Sequence, residues 1–371
     1  MKTVTVSTCG TSILTNGTRD EDVKFLRNNA NKRESEYNPE DIAKINNIVN
    51  EKSKLLVNSE PKDVRRLSAE LNGFISFYSQ DGRFESEEAG NYENIHYLIH
   101  TDTFQGTKTA EIIQAWGQAH NINMQLVQID DLNTSSVEEF RIGANNLIEW
   151  CAQSLPGYRE QGYRIIFNLV GGFKSLQGYM QTLGMFYADE TIYIFERSQE
   201  LLSIPKLPLS LDTLTNQVRG IIQEHIQVFR KLDVYNRTLP ISECAGIPET
   251  LLTIIDVECV LSVWGRMIWN NLKKEFYREK LLEPIHDDII ISDDVRRTAE
   301  GLDGVYLERL NSQIDMLANF LNSGRKFNPN SLDYKKFKTQ QGISTHEFDL
   351  WNEGHTRAFC RQSVRISFAA P

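Results

Sequence analysis

Ile165-Ile166-Phe167-Asn168-Leu169-Val170-Gly171-Gly172-Phe173-Lys174, continued by Ser175-Leu176-Gln177-Gly178-Tyr179-Met180, is the stretch whose reading decides the fold. An apolar run ends on a polar residue, two glycines turn the chain, and a lysine opens a helix. A strand that feeds a glycine turn and a helix N-terminus presents unpaired backbone N–H groups to an anion. Gly171 and Gly172 can adopt positive φ and allow a ligand close to the backbone. Lys174 adds a full charge where the helix dipole is already positive. The combination suits a phosphate. An ordinary strand-to-helix turn of an α/β domain has the same pattern, and this stretch by itself does not separate the two readings.

Residues 2–8 read as a buried first strand running into Ser7-Thr8-Cys9-Gly10-Thr11-Ser12 and then Ile13-Leu14-Thr15-Asn16-Gly17. Hydroxyl residues around a glycine form a second phosphate-friendly turn, or simply a Ser/Thr-rich helix cap. Residues 20–70 are helical and polar, with Asn38 before Pro39 and Ser59 before Pro61 as cap signals. Ile95–His100 is a strand ending in Thr101-Asp102-Thr103-Phe104-Gln105-Gly106-Thr107, with Lys108–Ala119 as its amphipathic helix. His100 reads as a strand residue. Met124–Ile129 (strand), Val137–Cys151 (helix), Arg164–Leu169 (strand), Lys174–Tyr187 (helix) and Thr191–Glu196 (strand) complete an alternating pattern. Alternation predicts a doubly wound parallel sheet over 1–200, in which ligands sit at the carboxyl ends of the strands. All three polar turns, 7–12, 101–107 and 168–174, fall at that end.

Beyond residue 200 the pattern changes. Residues 203–210 read as a proline-punctuated connector and 211–233 as one long helix. Residues 236–262 are irregular or short strands, and Val263–Lys280 is a helix. Residues 201–286 are therefore expected to be a helical connector and dimerisation segment. The last portion, 287–371, should contain a strand at Ile289–Ser292, a helix from Asp293 to Leu310 and a second helix carrying Ile314, Leu317 and Leu321. A basic run follows (Arg325, Lys326, Lys335, Lys336, Lys338), then a β-hairpin from Glu347 to Arg361.

The 371 residues suffice for two or three domains, and the net charge of −10 with a pI near 5.3 argues against wholesale charge-driven nucleic-acid binding. RNA contact would be local, and no DNA partner is expected. No apolar run approaches the ~20 residues of a membrane span, and the start reads as a strand, not a signal peptide. The five cysteines show no metal-ligand spacing, and a disulfide framework is not expected. The chain reads as cytoplasmic.

Thr8-Cys9-Gly10-Thr11-Ser12-Ile13-Leu14-Thr15-Asn16 resembles the start of CARF domains of the CRISPR-associated ring-nuclease type. Asn168 to Lys174 resembles the N-x-x-G-G-[FY]-K turn of the same group, and Thr101 to Gly106 resembles its S/T-D-T-x-x-G segment. The resemblance implies a Rossmann-like homodimer that binds a cyclic oligoadenylate, most often the four-membered ring, across the two-fold axis. Its ligand-binding residues would be Thr8, Cys9, Gly10, Thr11, Ser12, Thr15, Asn16, Thr101, Asp102, Thr103, Gln105, Asn168, Gly171, Gly172, Phe173 and Lys174. Ser12 and Lys174 would carry ring cleavage. The chemistry implied is metal-independent and cofactor-free: a ribose 2′-OH attacks its own neighbouring phosphodiester, slowly, because these turns contain no evident histidine base.

The C-terminal portion resembles RelE-type toxins, ribosome-dependent mRNA endoribonucleases. Leu332 to Lys338 is similar to their basic entry, Glu347 to Arg361 to their central strand pair, and Arg357 to a phosphate-binding arginine. The implied partners are the ribosome and mRNA, met by Arg325, Lys326, Lys335, Lys336, Lys338 and Arg361. The basic run is equally readable as a solvated face. After Arg361 the family's last strand has no clear counterpart, so the domain is expected to be partial. As a whole the resemblance implies an ancillary effector of type III CRISPR systems, with ring binding releasing the C-terminal domain. Two alternatives remain: a HEPN-type RNase, whose R-x4–6-H signature Arg219 to His225 matches, and a non-catalytic transcriptional regulator.

Overall fold

Thr3–Thr8 forms β1, buried along its whole length at the middle of a six-stranded sheet. The structure is a computed structural model that describes the chain outside residues 1, 81–83, 85–92, 173, 196–199, 207–210, 236–237, 330, 342–343, 350–356, 361–364 and 369–371. At 137–138, 211–214, 337–341, 344–347, 349, 357–360 and 365–368 it describes the backbone alone. Two compact units result, Met1–Ser210 and Leu211–Pro371.

In the first unit β2 (Ile95–Thr101), β3 (Met124–Ile129), β4 (Arg164–Asn168), β5 (Glu190–Ile194) and β6 (Leu201–Pro205) join β1 in the order β3-β2-β1-β4-β5-β6. Strands β1 to β5 run parallel, and β6 is antiparallel to β5. The sheet is thus doubly wound, as the alternation predicts. Ser203–Pro205, expected in a connector, instead closes the edge of the sheet. An edge strand tolerates proline because its outer N–H side needs no ladder partner.

The crossovers are α1 (Ser12–Thr15), α2 (Asp20–Asn28), α3 (Pro39–Val57), α4 (Pro61–Leu67), α5 (Ala69–Ser79), α6 (Phe104–Ala119), α7 (Val137–Glu160) and α8 (Lys174–Tyr187). Ile166 and Ile192 point into a core with Phe74, Ile113 and Trp116, supplied by α5 and α6. The alternating Ile165 and Phe167 point to the other face, where α7 and α8 pack on β4.

Local chemistry fixes the helix ends. Asn38 accepts from Asp41 N at 2.8 Å, as its position before Pro39 predicts. Ser59 does not cap α4. Its hydroxyl donates back to Leu55 O, and Glu60 holds the cap position without a side-chain bond. A new helix starts at Ser68, whose Oγ accepts from Leu71 N, and this break makes α5 separate from α4.

In the second unit the expected 211–233 helix is α9 (Leu211–Glu224) and α10 (Ile226–Val234), broken at His225. β7 (Leu239–Pro240), β8 (Leu252–Ile255) and β9 (Glu258–Leu261) form a small antiparallel sheet, and α11 (Val263–Glu279) follows. Cys244 and Cys259 are joined by a disulfide, against the expectation from cysteine spacing. β10 (Ile290–Ile291) precedes α12 (Asp293–Glu300) and α13 (Gly304–Asn322). The helix expected to run to Leu310 stops early because Gly301 closes it and Asp303 Oδ1 accepts from both Val305 N and Tyr306 N.

β11 (Lys335–Gln341), β12 (Ser344–Asp349), β13 (Arg357–Cys360) and β14 (Arg365–Phe368) complete a sheet of order β10-β14-β13-β12-β11. The hairpin read from 347–361 is present as β12 and β13, and the tip at 350–356 lies outside the described residues. Two expectations are corrected. A strand does follow Arg361, because β14 pairs with β13 and β10. The lysines from 335 onward, expected as a basic run ahead of the hairpin, lie in the edge strand β11.

The helices of the second unit share buried charge. Arg230 on α10 is 0 % exposed and meets the 4 % exposed Asp315 on α13, with Nη2 to Oδ1 at 2.5 Å. The Tyr277 hydroxyl on α11 donates to the same carboxylate. Residues 211–286 therefore pack with 287–371 into one unit, through α11 and α13 above all. Removing one member of a buried ion pair strands the other charge. Asp315→Ala is expected to destabilise this unit by about 3–5 kcal/mol in chemical denaturation, and Arg230→Met with Asp315→Leu by clearly less than Asp315→Ala.

Candidate functional site

β1 and β4 are neighbours whose connections leave in opposite directions, so the sheet has its topological switch point between them. Ligand crevices of open α/β sheets form there, beyond the carboxyl ends of the strands. The turns at 8–12 and 168–174 flank this point and touch. Thr8 Oγ1 donates to Gly171 O at 2.6 Å. A Cβ on Gly10 would meet Gly172 N at 3.0 Å, and one on Gly172, at φ +99°, would meet Thr8 Oγ1 at 2.8 Å. Gly172 is required to be glycine by both its φ and its contact, and Gly10 packs tightly on backbone.

Between the turns lies a residue that the sequence reading did not single out. Glu70, in the first turn of α5, is 1 % exposed. Its Oε1 accepts the Gly10 N–H at 2.7 Å, and its Oε2 accepts Ser68 Oγ at 2.8 Å and Ser12 Oγ at 3.3 Å. A Cβ on Gly171 would lie 2.3 Å from Oε1, so the carboxylate fills the space that glycine leaves. Asn168 closes the ring of contacts, with Nδ2 donating to Ser7 Oγ at 3.0 Å and Glu70 O at 2.9 Å. Gly73, where a Cβ would strike Asn168 Oδ1 at 2.2 Å, lets α5 approach this closely. Burial pushes the Glu70 carboxyl above its usual range, opposed by the bonds from Gly10, its own N–H, Ser68 and Ser12. The available signal was Ser68 followed by an acid in the next turn, a helix start that the apolar spacing of Val64, Leu67 and Leu71 concealed.

The other residues of the first turn have structural ties. Cys9 is buried, and burial first and then the Glu70 charge hold its thiol well above the ordinary value. Thr11 is half-buried at the start of α1. Thr15 Oγ1 donates to Ser12 O at 3.1 Å. Asn16 is exposed, donates to Leu67 O at 3.1 Å and accepts from the buried Lys52 ammonium. Ser12 is half-buried and Lys174, the first residue of α8, is exposed. Phe173 lies outside the described residues.

The third turn follows β2, on the other side of β1, and most of its polar groups are engaged within the unit, the buried Asp102 Oδ1 and Gln105 Oε1 being without a hydrogen-bond partner among the described residues. Asp102 Oδ2 accepts Arg33 Nε at 2.8 Å, and Arg33 also reaches Asp131 Oδ1 at 2.8 Å. Thr101 and Thr103 share a 2.8 Å hydroxyl contact, and Thr103 caps α6. Gln105 has no exposure and donates to Leu26 O and Tyr37 Oη. His100 is buried in β2, and burial lowers its pKa. The structure thus brings together Thr8, Gly10, Ser12, Asn168, Gly171 and Gly172, and it keeps Thr101, Thr103 and Gln105 inside.

In the second unit Arg325 and Lys326 are exposed just past α13, and Lys335 pairs with Asp333. Lys336 is exposed on β11. Lys338 and Arg357 are placed by backbone alone, Arg357 opening β13 opposite Asp349, and Arg361 lies outside the described residues. The two residues of the HEPN-like pair have separate surroundings. Arg219 is held by Glu275 and Glu279, while His225 sits in the break between α9 and α10. Among the described residues no group of three or more His, Cys, Asp or Glu side chains is disposed to hold a metal ion, and no helix is long and apolar enough to cross a membrane.

Residues 65–207 match the model of a CRISPR-associated protein family, Cas_APE2256, which supports a CRISPR association for the chain. The match covers less than half of the chain. It takes in α5 with Glu70 and the turns after β2 and β4, and it leaves out β1 and its turn. No curated protein matches the chain.

Two outcomes follow from the packing around Glu70. Gly171→Ala must displace the buried carboxylate, so it should lower the stability of the first unit by about 1–3 kcal/mol, read as a denaturation midpoint. The raised folded-state pKa of Glu70 means that the native state binds its proton more tightly than the unfolded chain. The stability that Glu70 contributes is full below the ordinary glutamate value and is lost as pH rises through the folded value. The stability of wild type relative to Glu70→Gln should therefore increase on acidification through that window, in paired denaturation series.

Proposed function

We propose that the chain is a CRISPR-associated effector whose first unit binds a cyclic oligoadenylate, with cyclic tetra-adenylate as the first candidate, at the β1/β4 switch point. The observation that carries the reading is the contact between the 8–12 and 168–174 turns around Gly10, Gly171 and Gly172, with Ser12 and Lys174 at its accessible margin. Gly172 is half-buried at positive φ just before α8 begins, and Lys174 brings a cation to the same place. A ring with four phosphates needs two such margins, which a homodimer about a two-fold axis supplies.

Ring cleavage at this site would use the ligand's own 2′-OH, aligned with the adjacent phosphodiester. The protein's part is to hold that alignment and to meet the charge that develops on the phosphoryl oxygens, the role assigned to Lys174. No metal or cofactor enters this scheme. The output is assigned to the second unit as a RelE-like endoribonuclease acting on ribosome-bound mRNA. Support comes from two helices, α12 and α13, followed by the antiparallel run β11 to β14, with Arg357 at the start of β13. Its basic contacts would be Arg325, Lys326 and the lysines of β11.

The deciding measurement is a binding titration of the full chain with rings of different sizes. Saturable binding of one ring per two chains is expected, and absence of binding to every ring overturns the reading. Lys174→Ala should slow ring cleavage by about 100-fold in single turnover. With ring present, cleavage of mRNA on ribosomes but not of free RNA is expected; cleavage of free RNA would remove the RelE-like assignment.

A further inference from the structure

The hydrogen bonds of Ser12 set a direction that the proposed chemistry has not used. Its hydroxyl has one proton and two lone pairs. The proton goes to Glu70 Oε2 at 3.3 Å, and one lone pair receives the Ala69 N–H at 3.3 Å. What remains for a ligand is a lone pair. Ser12 is thus arranged to accept a proton from a bound group, not to donate one to a phosphate oxygen. Among the described residues the acceptor that its proton meets is the Glu70 carboxylate, which Gly10 N–H and Ser68 Oγ hold in place.

We propose that Glu70, acting through Ser12, receives the proton of the ring's attacking ribose 2′-hydroxyl. The inference rests on ring cleavage at this site. In the step, the 2′-O–H proton passes to Ser12 Oγ while the Ser12 proton passes to Glu70 Oε2. The 2′-oxygen forms its bond to the adjacent phosphorus, the bond from phosphorus to the 5′-oxygen breaks, and that oxygen takes a proton from solvent water. The products are a 2′,3′-cyclic phosphate and a 5′-hydroxyl end. The Glu70 proton then returns through Ser12 to the hydroxide, so charge and protons balance without an external reagent. Glu70 does not touch the ring; it is a positioning and relay residue. The burial that raises its proton affinity makes it a stronger base than an exposed carboxylate. The groups that face it are the neutral Ser12 and Ser68 hydroxyls and the Cys9 thiol, whose ionisation burial suppresses. Lys174, on α8, is the cation at the site's margin.

The replacement Glu70→Gln is informative because the amide keeps an acceptor for Gly10 N–H but turns an NH2 donor toward Ser12. The serine proton must then point outward, and the relay has no terminus. Single-turnover cleavage of cyclic tetra-adenylate by the full chain should fall about 100-fold in Glu70→Gln, with ring binding retained. The wild-type rate should decline on acidification with a midpoint above the ordinary carboxylate range, and Glu70→Gln should lose that limb. Glu70→Asp, with the charge kept but withdrawn by one methylene, should give an intermediate rate and keep the limb. Wild type that binds the ring without cleaving it overturns ring cleavage itself, and this inference with it. Wild type that cleaves while Glu70→Gln matches its rate overturns the relay alone. If Glu70→Gln does not fold, the wild-type profile decides, since a rate that is flat through the mildly acidic range overturns the relay.

Discussion

A buried carboxylate held by a backbone N–H is the constraint on which the first unit depends. Glu70 reaches the sheet edge from the β1-to-β2 crossover, yet its contacts are to the turns that follow β1 and β4. A carboxylate with so little exposure is costly unless its oxygens are satisfied. Gly10, Ser12 and Ser68 satisfy them and so tie the turn after β1 to the start of α5, while Asn168 and the Thr8–Gly171 bond bring in the turn after β4. The glycines at 10, 73, 171 and 172 serve this one arrangement, because each stands where a Cβ would collide with a neighbouring segment. Their use is therefore as much structural as ligand-directed. The glycine turns that resemble an anion cradle already hold one carboxyl group, supplied by the protein itself.

Much of the first unit was legible because parallel strands and their helices differ plainly in hydrophobic period. Met124–Ile129 and Lys174–Tyr187 carry the expected bounds, and the turns fall at the expected sheet edge. What was not legible came from contacts distant in sequence. Nothing in the local pattern at Ser203–Pro205 shows that β5 offers it an edge. Glu70 looked like one more polar residue on a helix of polar residues, since its burial is decided by Gly10 and Gly171. The same holds for Gln105. A polar residue after a strand reads as ligand-facing, but its amide reaches inward to Leu26 and Tyr37.

In the second unit the sequence conveyed the elements better than their grouping. Helix periodicity located α11 and the region of α13, but breaks at His225 and at Gly301 to Asp303 depend on single residues within otherwise continuous apolar patterns. The strand after Arg361 gave no recognisable family motif, yet its backbone finds partners on both sides in β13 and β10. The lysines of β11 illustrate a double use of charge. On an edge strand, lysine discourages pairing with another chain, whatever else it contacts.

The Arg230–Asp315 pair bears on how the molecule can be dissected. Its two ends come from segments that a motif reading assigns to different modules, a helical linker and a toxin-like domain. A fragment cut at 287 would expose a face of α13 that is built to meet α10 and α11, and it would carry Asp315 without its guanidinium. Such a fragment would lose stability through the stranded charge alone. The cut that keeps every one of these charges paired falls before α9, so the autonomous unit of the C-terminal half is larger than the resemblance alone would draw it.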